Sequence, residues 1–125
     1  MTRDQANIAA INAKFDAAFN AKDASAIAPL YHKNAVIMPA PAGTPIEGRE
    51  AIAAFFTGLM SAGVIDHKLT LLDAIVDENL AYQRGQWSGA MIDAQGARQS
   101  FGGNVHFVYQ LQAEGNWLAM THIWN

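Results

Sequence analysis

Cysteine is absent from the 125 residues. That excludes disulfides, thiolate nucleophiles and cysteine-based zinc sites. Charge is scarce as well: Asp, Glu, Lys and Arg make up 15% of the chain, against roughly 25% in an average soluble domain, so much of the surface must be apolar or merely polar. Basic residues number 8 against 11 acidic ones, for a formal net charge of -3. No Lys/Arg cluster supplies the footprint that nucleic-acid binding needs. Long hydrophobic runs are missing, so no segment is suited to span a bilayer. The opening "MTRDQANIAAINAKF" carries charge where a secretory signal would place its apolar run. These absences lead to the expectation of a soluble, cytoplasmic protein with neither a nucleic-acid nor a membrane partner. Repeats, linkers and low-complexity segments are also lacking, and a chain of this length buries one core. One domain over residues 1–125 is expected.

What is present has two textures. Ile8, Ile11, Phe15 and Phe19 recur at helical spacing among alanines, which predicts an amphipathic helix over residues 4–21. "KDASAIAPLYHKN" offers Asp23 or Ser25 as an N-cap for a short helix through Ile27, Leu30 and Tyr31. The apolar run Val36-Ile37-Met38 then reads as a strand. It breaks in "NAVIMPAPAG" on prolines that offer no N–H, forming a rigid, uncharged lip. "EGREAIAAFFTGLM" places Ile52, Phe55, Phe56, Leu59 and Met60 on one face of a third helix. Beyond Gly63 the pattern alternates over roughly 67–77, 79–92, 97–113 and 116–124, with turns at "VDEN", "IDAQGA" and "AEGN". Helices followed by an antiparallel meander indicate an α+β domain with the helices on one face of a bent sheet.

"FNAKD" closing the first helix, "LYHKNAV" entering a strand, "GREAIAAFF" opening the third helix and "GNWLAMTHIWN" closing the chain together resemble the nuclear-transport-factor-2-like superfamily. The similarity is to its ketosteroid-isomerase-like and SnoaL-like members and covers nearly the whole chain. The resemblance implies a cone: three N-terminal helices on a strongly curved, mainly antiparallel sheet that encloses a pocket, commonly in a homodimer. In that frame the lip is the mouth of the cone. Ketosteroid isomerases use a carboxylate base with tyrosine and protonated-acid oxyanion donors. Local alignment puts Phe15 at the oxyanion tyrosine, Pro39 at the base, Val105 at the second donor and Phe56 at a supporting tyrosine. None of these can donate a hydrogen bond or accept a proton from its side chain. The usual steroid isomerase mechanism is therefore not expected.

The same alignment, with strand alternation, sorts the remaining polar residues. It turns Met120, His122 and Trp124 inward and Ala119, Thr121 and Ile123 outward. Gln83, Gly85, Trp87, Phe107 and Tyr109 face in; Tyr82, Arg84, Gln86, His106 and Gln110 face out. The expected pocket wall is Phe15, Phe19, Met38, Phe55, Met60, Gln83, Trp87, Phe107, Tyr109, Met120, His122 and Trp124. An aromatic, Met-rich wall suits a small hydrophobic molecule.

His122 is the candidate acid or base, because imidazole titrates near neutrality, and Tyr109 is a second candidate through its phenol. The competing reading makes His122 a core residue hydrogen-bonded to Gln83 or Tyr109. His32 is assigned a structural place after the short helix. His67 and His106 lack a convincing carboxylate neighbour and are expected to face solvent or a partner subunit. The four histidines are scattered and no H-E-x-x-H pattern occurs, so neither metal nor cofactor is expected. "FGGN" reads as a bulge that bends the sheet. Ser61, Ser88 and Ser100 have no histidine in a nucleophile pattern.

Two functions follow. One is a pocket protein that binds, and transforms by acid–base chemistry of isomerase or lyase type, a small hydrophobic organic molecule. The alternative is a non-catalytic association module. Both are compatible with a homodimer through the outer sheet face, where Tyr82, Arg84, Gln86, His106, Val108 and Gln110 form a mixed surface.

Overall fold

Thr2 begins the first helix by accepting a hydrogen bond from the Gln5 N–H at 3.1 Å, while the Gln5 side chain accepts from the Thr2 N–H. This capping box satisfies two of the donors that a helix start leaves free. The computed structural model describes residues 2–41 and 43–125; Ala42, within the lip stretch, lies outside the described residues. Helix α1 runs Arg3–Asn20 and buries Ile8, Asn12, Phe15, Ala18 and Phe19. Helix α2 is a single turn, Ala24–Ile27, continued by a 3-10 turn at Ala28–Leu30 that contains Pro29. Tyr31 is not the end of that helix, as its sequence suggests. It is the first residue of strand β1, Tyr31–Met38, and is buried. Strand β2 is Ile46–Glu47. Helix α3, Arg49–Ser61, buries Ile52, Phe56 and Met60 at four-residue spacing. No described helix is long and apolar enough to cross a membrane.

Four long strands follow: β3 (Ile65–Asp77), β4 (Leu80–Ile92), β5 (Arg98–Leu111) and β6 (Trp117–Trp124). They join β1 and β2 in one curved, unclosed sheet of order β2-β1-β6-β5-β4-β3. Only β1 and β6 pair in parallel; the other neighbours are antiparallel. Glu78-Asn79, Asp93–Gly96 and Gln112–Gly115 make the turns, and the left-handed glycines Gly96 and Gly115 fall where a Cβ would be strained. Helix α1 packs along β3 and α3 against β1 and β2, so the helices occupy the concave side.

Register shifts interrupt the pairing between Tyr31 and Val36, between Ile65 and Lys68, between Leu71 and Asp73, and opposite Met120, where Val108 pairs with Thr121 but Tyr109 pairs with Ala119. An extra residue in one strand increases local twist and reverses which side chains face inward beyond it. Hence Ala119, expected outside, is buried, and Met120, expected inside, is half-buried at the bulge. Met38 is likewise outside, at 38% exposure, because Ala35 and Ile37 take the inward positions of β1. "FGGN" is no bulge: Gly102 and Gly103 pair in register with Ser88 and Trp87. Their role is close approach, since a Cβ on Gly103 would sit 2.1 Å from the Asn125 carbonyl oxygen and one on Gly102 would sit 2.4 Å from that of Trp87.

The core gathers Ile8, Phe15, Phe19, Ile27, Tyr31, Ile37, Ile52, Phe56, Phe107 and Tyr109 into one cluster. Three polar side chains cross it as a closed set. Asn12 donates to Gln83 Oε1 at 2.6 Å, and Gln83 Nε2 donates to Asn12 Oδ1 at 3.0 Å and to the Tyr109 hydroxyl at 2.6 Å. This network ties α1 to β4 and β5, and it removes the desolvation penalty that each buried polar group would otherwise carry.

Candidate functional site

The concave side leaves a cavity of about 380 Å³, lined by Phe19, Ala40, Pro41, Phe55, Phe56, Leu59, Val64, His67, Leu69, Trp87, Phe101, Gly102, His122, Trp124 and Asn125. The lip residues Ala40 and Pro41 belong to that lining. Of the expected wall, Phe19, Phe55, Trp87, His122 and Trp124 line the cavity. Phe15, Met60, Gln83, Phe107 and Tyr109 belong to the packed layer behind it. Met38 lies in a separate outer groove with Pro39 and Ile123, and Met120 reaches neither.

His122 is 4% exposed. Its ring stacks on Phe107 with centroids 3.8 Å apart and leans on Trp124 at 4.5 Å. Its Nδ1 lies 2.8 Å from the Tyr31 hydroxyl, not against Gln83 or Tyr109 as the core reading supposed. Burial raises the Tyr31 pKa well above its usual value, with Tyr109 adding in the same direction, so the phenol keeps its proton. Among the described residues His122 Nδ1 is the one hydrogen-bond partner of the buried Tyr31 Oη; a buried O–H proton left without an acceptor would carry its full desolvation cost, so the phenol donates to Nδ1. The imidazole proton then sits on Nε2. Burial, helped by His67, lowers the pKa of His122 well below the usual imidazole value. The ring is therefore neutral. Nε2 has no protein partner, yet no buried polar side-chain atom among the described residues is left unpartnered; this nitrogen opens onto the cavity.

Tyr109 does not share that opening. It is fully buried, accepts from Gln83, and has its pKa raised mainly by burial.

His67 corrects the sequence expectation. A carboxylate neighbour exists, supplied by the first helix 51 residues earlier: His67 Nδ1 lies 2.9 Å from Asp16 Oδ1. The Asp16 carboxylate also accepts the Leu69 N–H on both oxygens, at 3.1 and 3.0 Å. Asn20 holds the His67 backbone from both sides, its Oδ1 accepting from the His67 N–H at 2.8 Å and its Nδ2 donating to the His67 carbonyl at 3.0 Å. Asp66, immediately before, has φ 56° within the first bulge of β3. That left-handed residue turns His67 toward the helix and the cavity. Phe19 packs on the ring at 4.8 Å and Trp87 stacks at 6.4 Å. A carboxylate only accepts, so Nδ1 carries a proton, and in the neutral form of the ring Nε2 is the nitrogen with the lone pair. The sequence signal was the Asp16/Asn20 pair at i, i+4 on α1, whose partner strand alternation could not identify.

The other two histidines lie away from the cavity. His32 Nδ1 accepts from the Asn34 N–H on β1, and His106 stacks on Tyr82 on the outer face at 5.6 Å. Trp87 donates its indole N–H to the Asn125 carbonyl at 3.0 Å, so its ring is packing surface rather than a donor to a ligand. No group of three or more His, Asp or Glu converges among the described residues.

The sequence matches the SnoaL-like domain family over residues 12–120. Among solved structures, a ketosteroid isomerase-like protein of Erwinia carotovora atroseptica superposes with TM-score 0.83 at 20% identity, covering 99% of this chain and 96% of that one. An NTF2-like protein with a cystatin-like fold from Novosphingobium aromaticivorans gives TM-score 0.82 at 20% identity, over 95% and 79%. An NTF2-like superfamily protein of Salmonella enterica serovar Typhimurium gives 0.78 at 15% identity, over 94% and 87%. At these identities the likeness is one of fold. No curated protein matches the chain.

Proposed function

Because this chain belongs to the SnoaL-like domain family, we propose that its cavity binds a small, uncharged, hydrophobic organic molecule and acts on it by acid–base chemistry of isomerase or lyase type. The observation that carries the proposal is an open, aromatic-walled space of about 380 Å³ with two imidazoles on its wall. That volume lies near the lower end of ligand pockets, about 300–1,000 Å³, and suits a monocyclic or bicyclic molecule. The wall presents no Lys or Arg to neutralise a charged ligand.

The usual ketosteroid isomerase residues are not the agents, because Phe15, Phe56 and Val105 are buried hydrocarbon and Pro39 has no ionisable group. Native mass spectrometry of protein exposed to a panel of aromatic aldehydes and ketones tests the proposal. Wild type should carry the added mass of a bound molecule, and Leu59→Trp, which fills the cavity, should not. A panel that leaves wild type empty would sink the ligand reading.

The association-module alternative requires the cavity to be closed by its own side chains, and the open space beside His122 favours the ligand reading over it. A homodimer remains part of the proposal. The convex face presents exposed Ile123 and Leu72 beside a layered set in which Arg84 pairs with Asp73 and lies over the Tyr82 ring, itself stacked on His106. Sedimentation of wild type against Ile123→Lys should show a dimer converted to monomer; a wild type that sediments as monomer removes this part.

A further inference from the structure

We propose that His67, oriented by Asp16, is the base that removes a proton from the bound molecule, and that His122, oriented by Tyr31, donates the hydrogen bond that stabilises the charge left behind. The proposal rests on the ligand-pocket reading above and names its chemistry.

Both rings face one cavity and both are anchored through Nδ1, but on partners of opposite kind. His67 meets a carboxylate at 2.9 Å; His122 meets a phenol at 2.8 Å. The consequence at the far nitrogen is opposite. In the neutral rings, His67 Nε2 carries the lone pair and His122 Nε2 the N–H. A neutral imidazole with a lowered pKa is suited to donating to an oxygen that gains charge, whereas a carboxylate-anchored imidazole is suited to taking the proton. His67 is held from three directions: Asp16 on its ring, Asn20 on its backbone and the left-handed Asp66 before it. Such rigidity is what a base needs to meet a C–H bond repeatedly in one geometry.

The substrate class that fits is an uncharged aldehyde or ketone with a β,γ C=C bond, whose enolisable C–H lies between that bond and the carbonyl. The C–H bond next to the carbonyl breaks and its proton goes to His67 Nε2, giving an imidazolium whose Nδ1–H stays on Asp16. The electron pair passes to the carbonyl oxygen, which accepts from His122 Nε2–H. Return of the same proton from His67 to another carbon of the conjugated system completes an isomerisation with no net change in atoms or electrons. His67 and His122 are the catalytic residues, and Asp16 and Tyr31 are positioning residues.

The test uses 5-nitrobenzisoxazole, a neutral aromatic probe whose single acidic C–H is removed as its N–O bond breaks, forming a nitrile and a coloured phenolate. Binding is followed by quenching of tryptophan fluorescence and turnover by phenolate release. Wild type should turn the probe over saturably. His67→Ala should lower kcat about a hundredfold while still binding it. Should that variant fold poorly, His67→Asn keeps an amide for Asp16 but no base, and should lose kcat equally. Asp16→Asn should lower kcat with KM held, and ¹⁵N NMR should show the His67 proton no longer confined to Nδ1, a change that mere loosening of α1 would not produce. Wild-type kcat in a folded His67 variant overturns the proposal. So does a wild type that binds the probe without turning it over, which leaves the ligand reading standing. A probe that never binds overturns the proposal as well, while the ligand reading is decided by the carbonyl panel.

Discussion

His122 and Tyr31 form a contact between the first residue of β1 and the last strand, 91 positions apart. Alternation along β6 was enough to aim His122 inward, but nothing local pointed to Tyr31, whose neighbours read as a helix end. The contact has a pH consequence. Because burial lowers the folded-state pKa of His122, unfolded chains bind a proton below about pH 6.5 that folded chains do not. Stability should therefore be highest above that pH and fall as pH drops toward the folded value, by up to about 1.4 kcal/mol per pH unit. Urea titrations between neutrality and mild acid should show this slope in wild type and a flatter one in His122→Gln. The Asn12–Gln83–Tyr109 set predicts a second residue-scale effect. Gln83→Leu orphans two buried groups and should cost about 3 kcal/mol. Tyr109→Phe removes one bond and should cost about 1 kcal/mol.

At the scale of elements, the long helices were readable because α1 and α3 keep their apolar residues at helical spacing, and the three turns between the long strands because Asn, Asp and Gly stand where the backbone reverses. The bulges were not readable, and they decide the site. Asp66 in the left-handed region starts the one that aims His67; Met120 makes the one that exchanges Ala119 for Met120 on the inner face. A residue branched at Cβ tolerates Asp66's conformation worse than Asp does, whereas glycine accepts it freely. Asp66→Val should destabilise the protein by about 1–2 kcal/mol and displace the His67 ring resonance, whereas Asp66→Gly should do neither. Gly103 is the second element-scale test. Its absent Cβ admits the Asn125 carbonyl, which in turn receives the Trp87 indole. Gly103→Ala should cost about 2 kcal/mol and release that bond, seen as a red shift in tryptophan emission.

For the whole molecule, an open cavity at the centre of a small core means that an occupant contributes directly to stability. A ligand at a hundredfold excess over its Kd should add about 2.7 kcal/mol, raising Tm by several degrees in a domain of this size. Leu59→Trp should be insensitive to the same ligand. Thermal scans across a panel of carbonyl compounds would read this out and rank candidate ligands by the size of the shift, whatever the reaction.

Fold class, the order of the helices and of the five longer strands, and the apolar character of the inner wall are written in the amino-acid sequence; the two-residue strand β2 is not. They depend on local propensity and on periodicity, which neighbouring residues carry among themselves. That Phe15, Pro39, Phe56 and Val105 carry no ionisable or hydrogen-bonding side chain is legible there too, since it is a matter of residue identity. Which histidine meets a carboxylate, which meets a phenol, and which of Ala119 and Met120 takes the inner side of β6 were settled by the folded chain alone. Asp16–His67 and Tyr31–His122 are contacts across 51 and 91 residues, and a bulge reverses alternation without leaving a mark in composition. The chemistry proposed for the cavity rests on those long-range pairings, because an imidazole becomes an acceptor or a donor only through the partner its other nitrogen finds.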